Sequence, residues 1–93
     1  MPSDPARGHR INPEVAFGRV LRELRRKRGV SQEELGAKSG YHRTYIGQLE
    51  RGEKSPSLRT IFNLAGTLEV SPGKVIGAVE RTLAKAHLAR ERR

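Results

Sequence analysis

The sequence contains no cysteine and no tryptophan, and its single aspartate is Asp4. Without cysteine there are no disulfides, thiolate metal sites, iron–sulfur clusters or thiol nucleophiles. With Asp4 in a Pro-, Gly- and Arg-rich leader, a Ser-His-Asp relay has no orienting acid. The three histidines, His9, His42 and His87, lie far apart and show no metal-binding spacing. There is no P-loop and no strand followed by a dinucleotide-type glycine loop. No catalytic, metal or cofactor site is therefore expected. No apolar run approaches the ~20 residues of a membrane span, and no signal-peptide core follows the start. The expectation is a cytoplasmic protein without a membrane partner.

What the sequence does have is positive charge. Its 93 residues suffice for one domain, and 19 Lys+Arg stand against 10 Asp+Glu, a formal net charge of +9. Such a surplus repels itself in a compact chain, so it points to an acidic partner, nucleic acid before anionic membrane. Apolar residues at 34% and charged residues at 31% are lean for a globular domain but above a disordered tract.

Residues 1–13 hold three of the five prolines and no periodicity, which predicts a flexible basic leader. From Glu14 the pattern becomes helical, with Val15, Phe17, Val20, Leu21 and Leu24 on one face, through about Arg28. Gly29 sits where a left-handed residue would end that helix. Ser31-Gln32-Glu33-Glu34 is a capping box opening a short helix to about Ser39, stopped by Gly40. A tight turn, Gly40-Tyr41-His42, leads to a third helix at about Arg43–Arg51, with Ile46 and Leu49 as its apolar positions. Ser57 caps a fourth helix with Leu58, Ile61, Phe62, Leu64, Ala65 and Leu68 expected inward. Ser71-Pro72, a cap followed by proline, starts a fifth carrying Val75, Ile76, Val79 and Leu83. With no strand signal, the expected fold is all-α, a compact five-helix bundle. The expected organisation is the leader at 1–13, a helical domain at 14–79 and a basic helical extension at 80–93.

From Leu21-Arg22-Glu23-Leu24-Arg25 onward the chain resembles the Cro/repressor-type (Xre) helix-turn-helix family. The likeness continues through Ser31-Gln32-Glu33-Glu34-Leu35, Ser39-Gly40 and Tyr45-Ile46-Gly47-Gln48-Leu49-Glu50-Arg51-Gly52. It then takes in Pro56-Ser57-Leu58, Leu64-Ala65 and Leu68-Glu69-Val70-Ser71-Pro72, several motifs in order. It implies a lambda-repressor-like domain that binds double-stranded DNA, usually as a homodimer on a pseudo-palindromic operator. Phage-type repressors and restriction–modification controller proteins are stand-alone members of that family.

The resemblance places Arg43, Thr44 and Gln48 where side chains touch base edges, with Tyr45, Gly47 and His42 nearby. Arg43 suits guanine O6/N7 and Gln48 suits adenine N6/N7. Gly47 costs ~1 kcal/mol of helix propensity relative to alanine; close approach of DNA and close helix packing are both open reasons for it. Gln32, at the start of the second helix, and Arg51, Lys54, Ser55 and Ser57 occupy phosphate-gripping positions. Arg25 and Glu50 stand where the family has a buried structural ion pair tying helix one to the end of helix three. One departure is His42, since many members carry Ser or Thr there to cap the recognition helix. Histidine is a poorer cap, so the cap is weak, Thr44 or water compensates, or the ring meets a phosphate. Val70, Val75, Ile76, Val79 and Leu83 are the candidates for a dimer interface, unless they only complete the monomer core. An alternative use of the same fold is an antitoxin or coactivator-type interaction protein, with a protein partner at the basic C-terminal extension.

Overall fold

Five α-helices follow in order: α1 (Pro13–Lys27), α2 (Gln32–Ser39), α3 (Arg43–Glu50), α4 (Leu58–Thr67) and α5 (Pro72–Glu91). The structure, a computed structural model, describes residues 11–91, with side chains through residue 88. Residues 1–10 of the expected leader and 92–93 of the expected extension lie outside the described residues. There is no strand among the described residues.

Short-range hydrogen bonds set the helix starts. The Asn12 side chain accepts from the Val15 N–H at 2.8 Å and Pro13 takes the first helical position, so α1 begins one residue before the expected Glu14. Both halves of the Ser31–Glu34 capping box form, at 3.0 and 2.8 Å. The bond from the Ser31 N–H holds the Glu34 carboxylate below its ordinary pKa. Ser57 and Ser71 accept from the N–H groups of Thr60 and Lys74.

Four helix ends share one closure. At the ends of α1, α2, α3 and α4, an N–H reaches back five residues across the last turn: Val30 to Arg25, Tyr41 to Gly36, Glu53 to Gln48 and Val70 to Ala65. The residue before that N–H must be left-handed. Gly29, Gly40 and Gly52 supply it at φ 70°, 85° and 75°, while at the end of α4 Glu69 takes φ 61° with a side chain attached. Arg28 meets that exposed carboxylate at 2.8 Å, joining the ends of α1 and α4.

The core draws on every helix: Ala16, Phe17, Val20 and Leu21 from α1, Leu35 from α2, and Ile46 and Leu49 from α3. Leu64, Ala65 and Leu68 of α4 and Val75 and Val79 of α5 close it. Two residues expected inward are not there, since Leu58 and Phe62 are 71% and 56% exposed. The buried stripe of α4 is instead Thr60, Leu64 and Leu68, four residues apart, with Ile61 and Ala65 beside it. Leu58 and Phe62 form the neighbouring ridge. α5 runs without interruption past Glu80.

At Gly18, α1 lies directly against the backbone of α3. A Cβ there would fall on the Leu49 carbonyl oxygen and 2.5 Å from that of Glu50, both backbone atoms. Alanine would force the helices apart, an overpacking cost of ~1–3 kcal/mol, against ~1 kcal/mol of helix propensity gained. Gly18→Ala is therefore expected to lower the urea unfolding midpoint; an unchanged or higher midpoint would contradict this packing.

Candidate nucleic-acid interface

An eight-residue helix is too short to be stable alone, so α3 depends on what fixes its ends and its inner face. At its start His42 is the cap: its Nδ1 accepts from the Thr44 N–H at 3.0 Å. The acceptor nitrogen carries no proton, which puts the ring N–H on Nε2. The histidine thus replaces the usual hydroxyl, and no compensation from Thr44 is needed. Along its inner face Ile46 and Leu49 are fully buried.

At its far end Glu50 meets Arg25 of α1. Arg25 Nε donates to Glu50 Oε2 at 2.6 Å and Nη2 to Oε1 at 3.0 Å, a two-pronged pair with side chains 12% and 3% exposed. Arg25 Nη1 also donates to the Val30 carbonyl at 2.9 Å, so one guanidinium ties α1, the α1–α2 loop and α3. The hydrogen bonds to Glu50 push the arginine's pKa further up. The amide of Gln32 is a third member, its Nε2 donating to Glu50 Oε1 at 3.0 Å. The start of α2 and the end of α3 are thereby fixed to the same carboxylate. From sequence Gln32 is a phosphate contact. In the structure one amide hydrogen goes to Glu50, and the N–H groups of the first turn of α2 supply further donors at that helix end.

The outward edge of α3 carries Arg43 and Thr44, both exposed, and half-buried Gln48. Arg43 Nη1 lies 3.5 Å from Glu33 Oε1 of α2, and Arg51 Nε lies 2.7 Å from Glu53 Oε2. The bond from Arg51 lowers the Glu53 pKa and raises that of the arginine. Both pairs are more than half exposed, so they hold their arginines loosely against a competing phosphate. Lys54 and Ser55 are exposed in the loop that follows. Ser57 is on the same side, but its hydroxyl caps α4 and donates to Thr60 Oγ1 at 3.0 Å.

Tyr45 is half-buried and turned toward α4, its hydroxyl 3.5 Å from that of Thr60 and its ring 5.2 Å from that of Tyr41. At Gly47 an added Cβ would meet only the Arg51 Nη1 at 3.1 Å and the Gln32 and Arg51 side-chain tips beyond. Backbone packing between helices therefore does not account for this glycine. Of the dimer candidates, Val75 and Val79 are buried in the monomer core, with Val70 and Leu83 half-buried against it. Ile76 alone of the five is exposed, and Leu58 and Phe62 of α4 are exposed apolar residues that sequence patterning placed in the core.

Residues 21–75 match the family model described as helix-turn-helix. The chain is similar to the uncharacterised HTH-type transcriptional regulator y4dJ of Sinorhizobium fredii, at 37% identity over 65 residues, which are 70% of this chain and 84% of that protein. It is also similar to the control protein C.SmaI of Serratia marcescens, at 43% identity over 56 residues, covering 60% of this chain and 67% of that protein. Among solved structures, the restriction–modification controller protein C.AhdI of Aeromonas hydrophila aligns with a TM-score of 0.64 at 46% identity, over 66% of this chain and 88% of that one. No helix among the described residues is long and apolar enough to cross a membrane. With the match covering more than half of its length and centred on the α2–turn–α3 unit, the chain belongs to the helix-turn-helix family, in its Cro/repressor (Xre) branch, and is a DNA-binding transcriptional regulator.

Proposed function

We propose that the chain is a cytoplasmic regulator that binds a pseudo-palindromic operator as a homodimer, by contact alone and without catalysis. α3 enters the major groove, where Arg43, Thr44 and Gln48 read base edges and Tyr45 and His42 flank them. Gln32, Arg51, Lys54, Ser55 and Ser57 grip the phosphates on either side. The observation that carries this reading is the combination at α3: an outer edge of Arg43, Thr44 and Gln48 on a helix whose far end is held by the buried Arg25–Glu50 pair. A helix backbone already fixed in place loses less freedom on meeting DNA than a mobile one does. The similarity to C.SmaI and C.AhdI supports a controller-type role.

For the second copy, exposed Leu58, Phe62 and Ile76 supply the apolar surface. Beside Ile76 lies a groove of about 170 Å³ lined by Phe17, Pro56, Ile61 and Val79 among others. This apolar surface on α4 and α5 gives the interface its hydrophobic centre. The two α3 helices would then read half-sites ~34 Å apart, one turn of DNA.

The reading is tested by titrating duplex from the region upstream of the gene, and a scrambled duplex, at two salt concentrations. The expected result is a preference of ~10³ or more with two chains per site. Equal affinity for both, falling together with added salt, would leave only backbone binding. A second expectation concerns Gly47. Gly47→Ala should hold or raise thermal stability, by up to ~1 kcal/mol, because only flexible side-chain tips stand in the way. It should weaken operator binding by about tenfold, as the methyl group displaces the Arg51 and Gln32 side chains from their phosphate-gripping positions. Unchanged operator affinity would remove the reading that this glycine makes room for those two phosphate contacts.

A further inference from the structure

α3 lies close, backbone to backbone, against α1 and α2 but not against α4. Beyond the apolar core that both share, a set of hydroxyl groups around Thr60, a residue only 5% exposed, links it to α4. Tyr41 of the α2–α3 turn donates its hydroxyl to Thr60 Oγ1 at 3.2 Å, and Ser57, the cap of α4, donates to the same oxygen at 3.0 Å. Tyr45 of α3 stands 3.5 Å away, a longer and weaker contact. Asn63, one turn along α4, donates to the Tyr41 hydroxyl at 3.1 Å.

A threonine hydroxyl has two lone pairs and one hydrogen. With Tyr41 and Ser57 on the lone pairs, the hydrogen is left for Tyr45, and all three capacities of Thr60 Oγ1 are filled. One buried oxygen therefore connects the turn before the reading helix, the helix itself and the serine at the end of the phosphate-gripping loop. Nothing in the apolar core needs an oxygen there, since the rest of the inward stripe of α4 is Leu64 and Leu68.

Resting on the reading of α3 as the DNA-contacting helix, we propose that Thr60 is a positioning residue: its hydroxyl sets the placement of α3 relative to the Lys54–Ser57 loop, so that base contacts and phosphate contacts are made together. It touches no DNA itself. Its removal leaves the fold standing, because the tyrosine and serine hydroxyls are near enough to the surface to turn to water. What is lost is the common partner that fixes their relative placement.

The test uses the full chain and the variants Thr60→Val, which keeps the shape and removes the oxygen, and Thr60→Ser, which keeps the oxygen. Each is checked for folding by thermal unfolding, then titrated with a duplex selected by the wild-type protein from a random pool and with a scrambled duplex. Thr60→Val is expected to lose about tenfold in affinity for the selected duplex, about one net hydrogen bond, with the scrambled duplex affected about twofold or less. Thr60→Ser is expected to restore most of the loss, which a purely volumetric role would not produce. Backbone amide shifts recorded without DNA supply a second reading. They should move along Arg43–Glu50 in the valine variant and stay near wild type in the serine variant. Equal loss on both duplexes, or unmoved Arg43–Glu50 amides in a folded valine variant, would overturn the proposal. If the wild-type protein selects no duplex, the operator reading fails instead, and the amide shifts alone decide the role of Thr60.

Discussion

The Glu50 carboxylate is the point on which the reading surface depends. It ends the eight-residue α3, is nearly buried, and receives hydrogen bonds from Arg25 of α1 and Gln32 of α2. A charge so placed is tolerable only while paired: removing one partner of a buried pair typically costs ~3–5 kcal/mol, whereas replacing both with apolar groups is often neutral. The pair is therefore weak support for stability as such. Its consequence is geometric, because a two-pronged arginine–carboxylate contact holds direction as well as distance. Gly18 adds to this constraint by letting α1 lie against the carbonyls of Leu49 and Glu50, which sets how near the ion pair can close.

The remaining fixings of α3 are lighter and serve other degrees of freedom. His42 satisfies an N–H at the start, Ile46 and Leu49 hold the inner face, and the tyrosine hydroxyls reach across to α4. The outer edge is left to loosely paired arginines. This division suits a protein that must present rigid backbone and adaptable side chains to DNA, since backbone position is needed for register and side-chain freedom for local fit.

Much of this was legible in the chain itself. Capping residues and terminal glycines mark four of the five helix starts and three of the four shared closures, because those signals act over three or four residues. Asn12-Pro13 is the same kind of signal as Ser71-Pro72, and shifts the start of α1 by one residue. Where packing decides, local patterning runs out. α4 has apolar residues at Leu58, Ile61, Phe62, Leu64, Ala65 and Leu68, more than one face can hold, and periodicity cannot say which ridge stays outside. Val75 and Val79 were ambiguous between core and interface for the same reason. The left-handed Glu69 was not visible, as the conformation is imposed by the closure of α4 and not favoured by the residue. In the interface, Arg25 and Glu50 were placed as a pair by resemblance to a family. The share of Gln32 in it, and the gathering of hydroxyls on Thr60, depend on residues 18 and 19 positions apart meeting in space.

The most direct measurement of this account is a double-mutant cycle on the ion pair, with Arg25→Met, Glu50→Leu and the double variant compared by chemical unfolding and by binding to a wild-type-selected duplex. Each single substitution should cost ~3–5 kcal/mol of stability, and the double variant should cost clearly less than their sum. The double variant should still discriminate less between selected and scrambled duplexes, since the direction of α3 is no longer held. Additive stability costs with undiminished discrimination would contradict the claim that this pair fixes the reading helix.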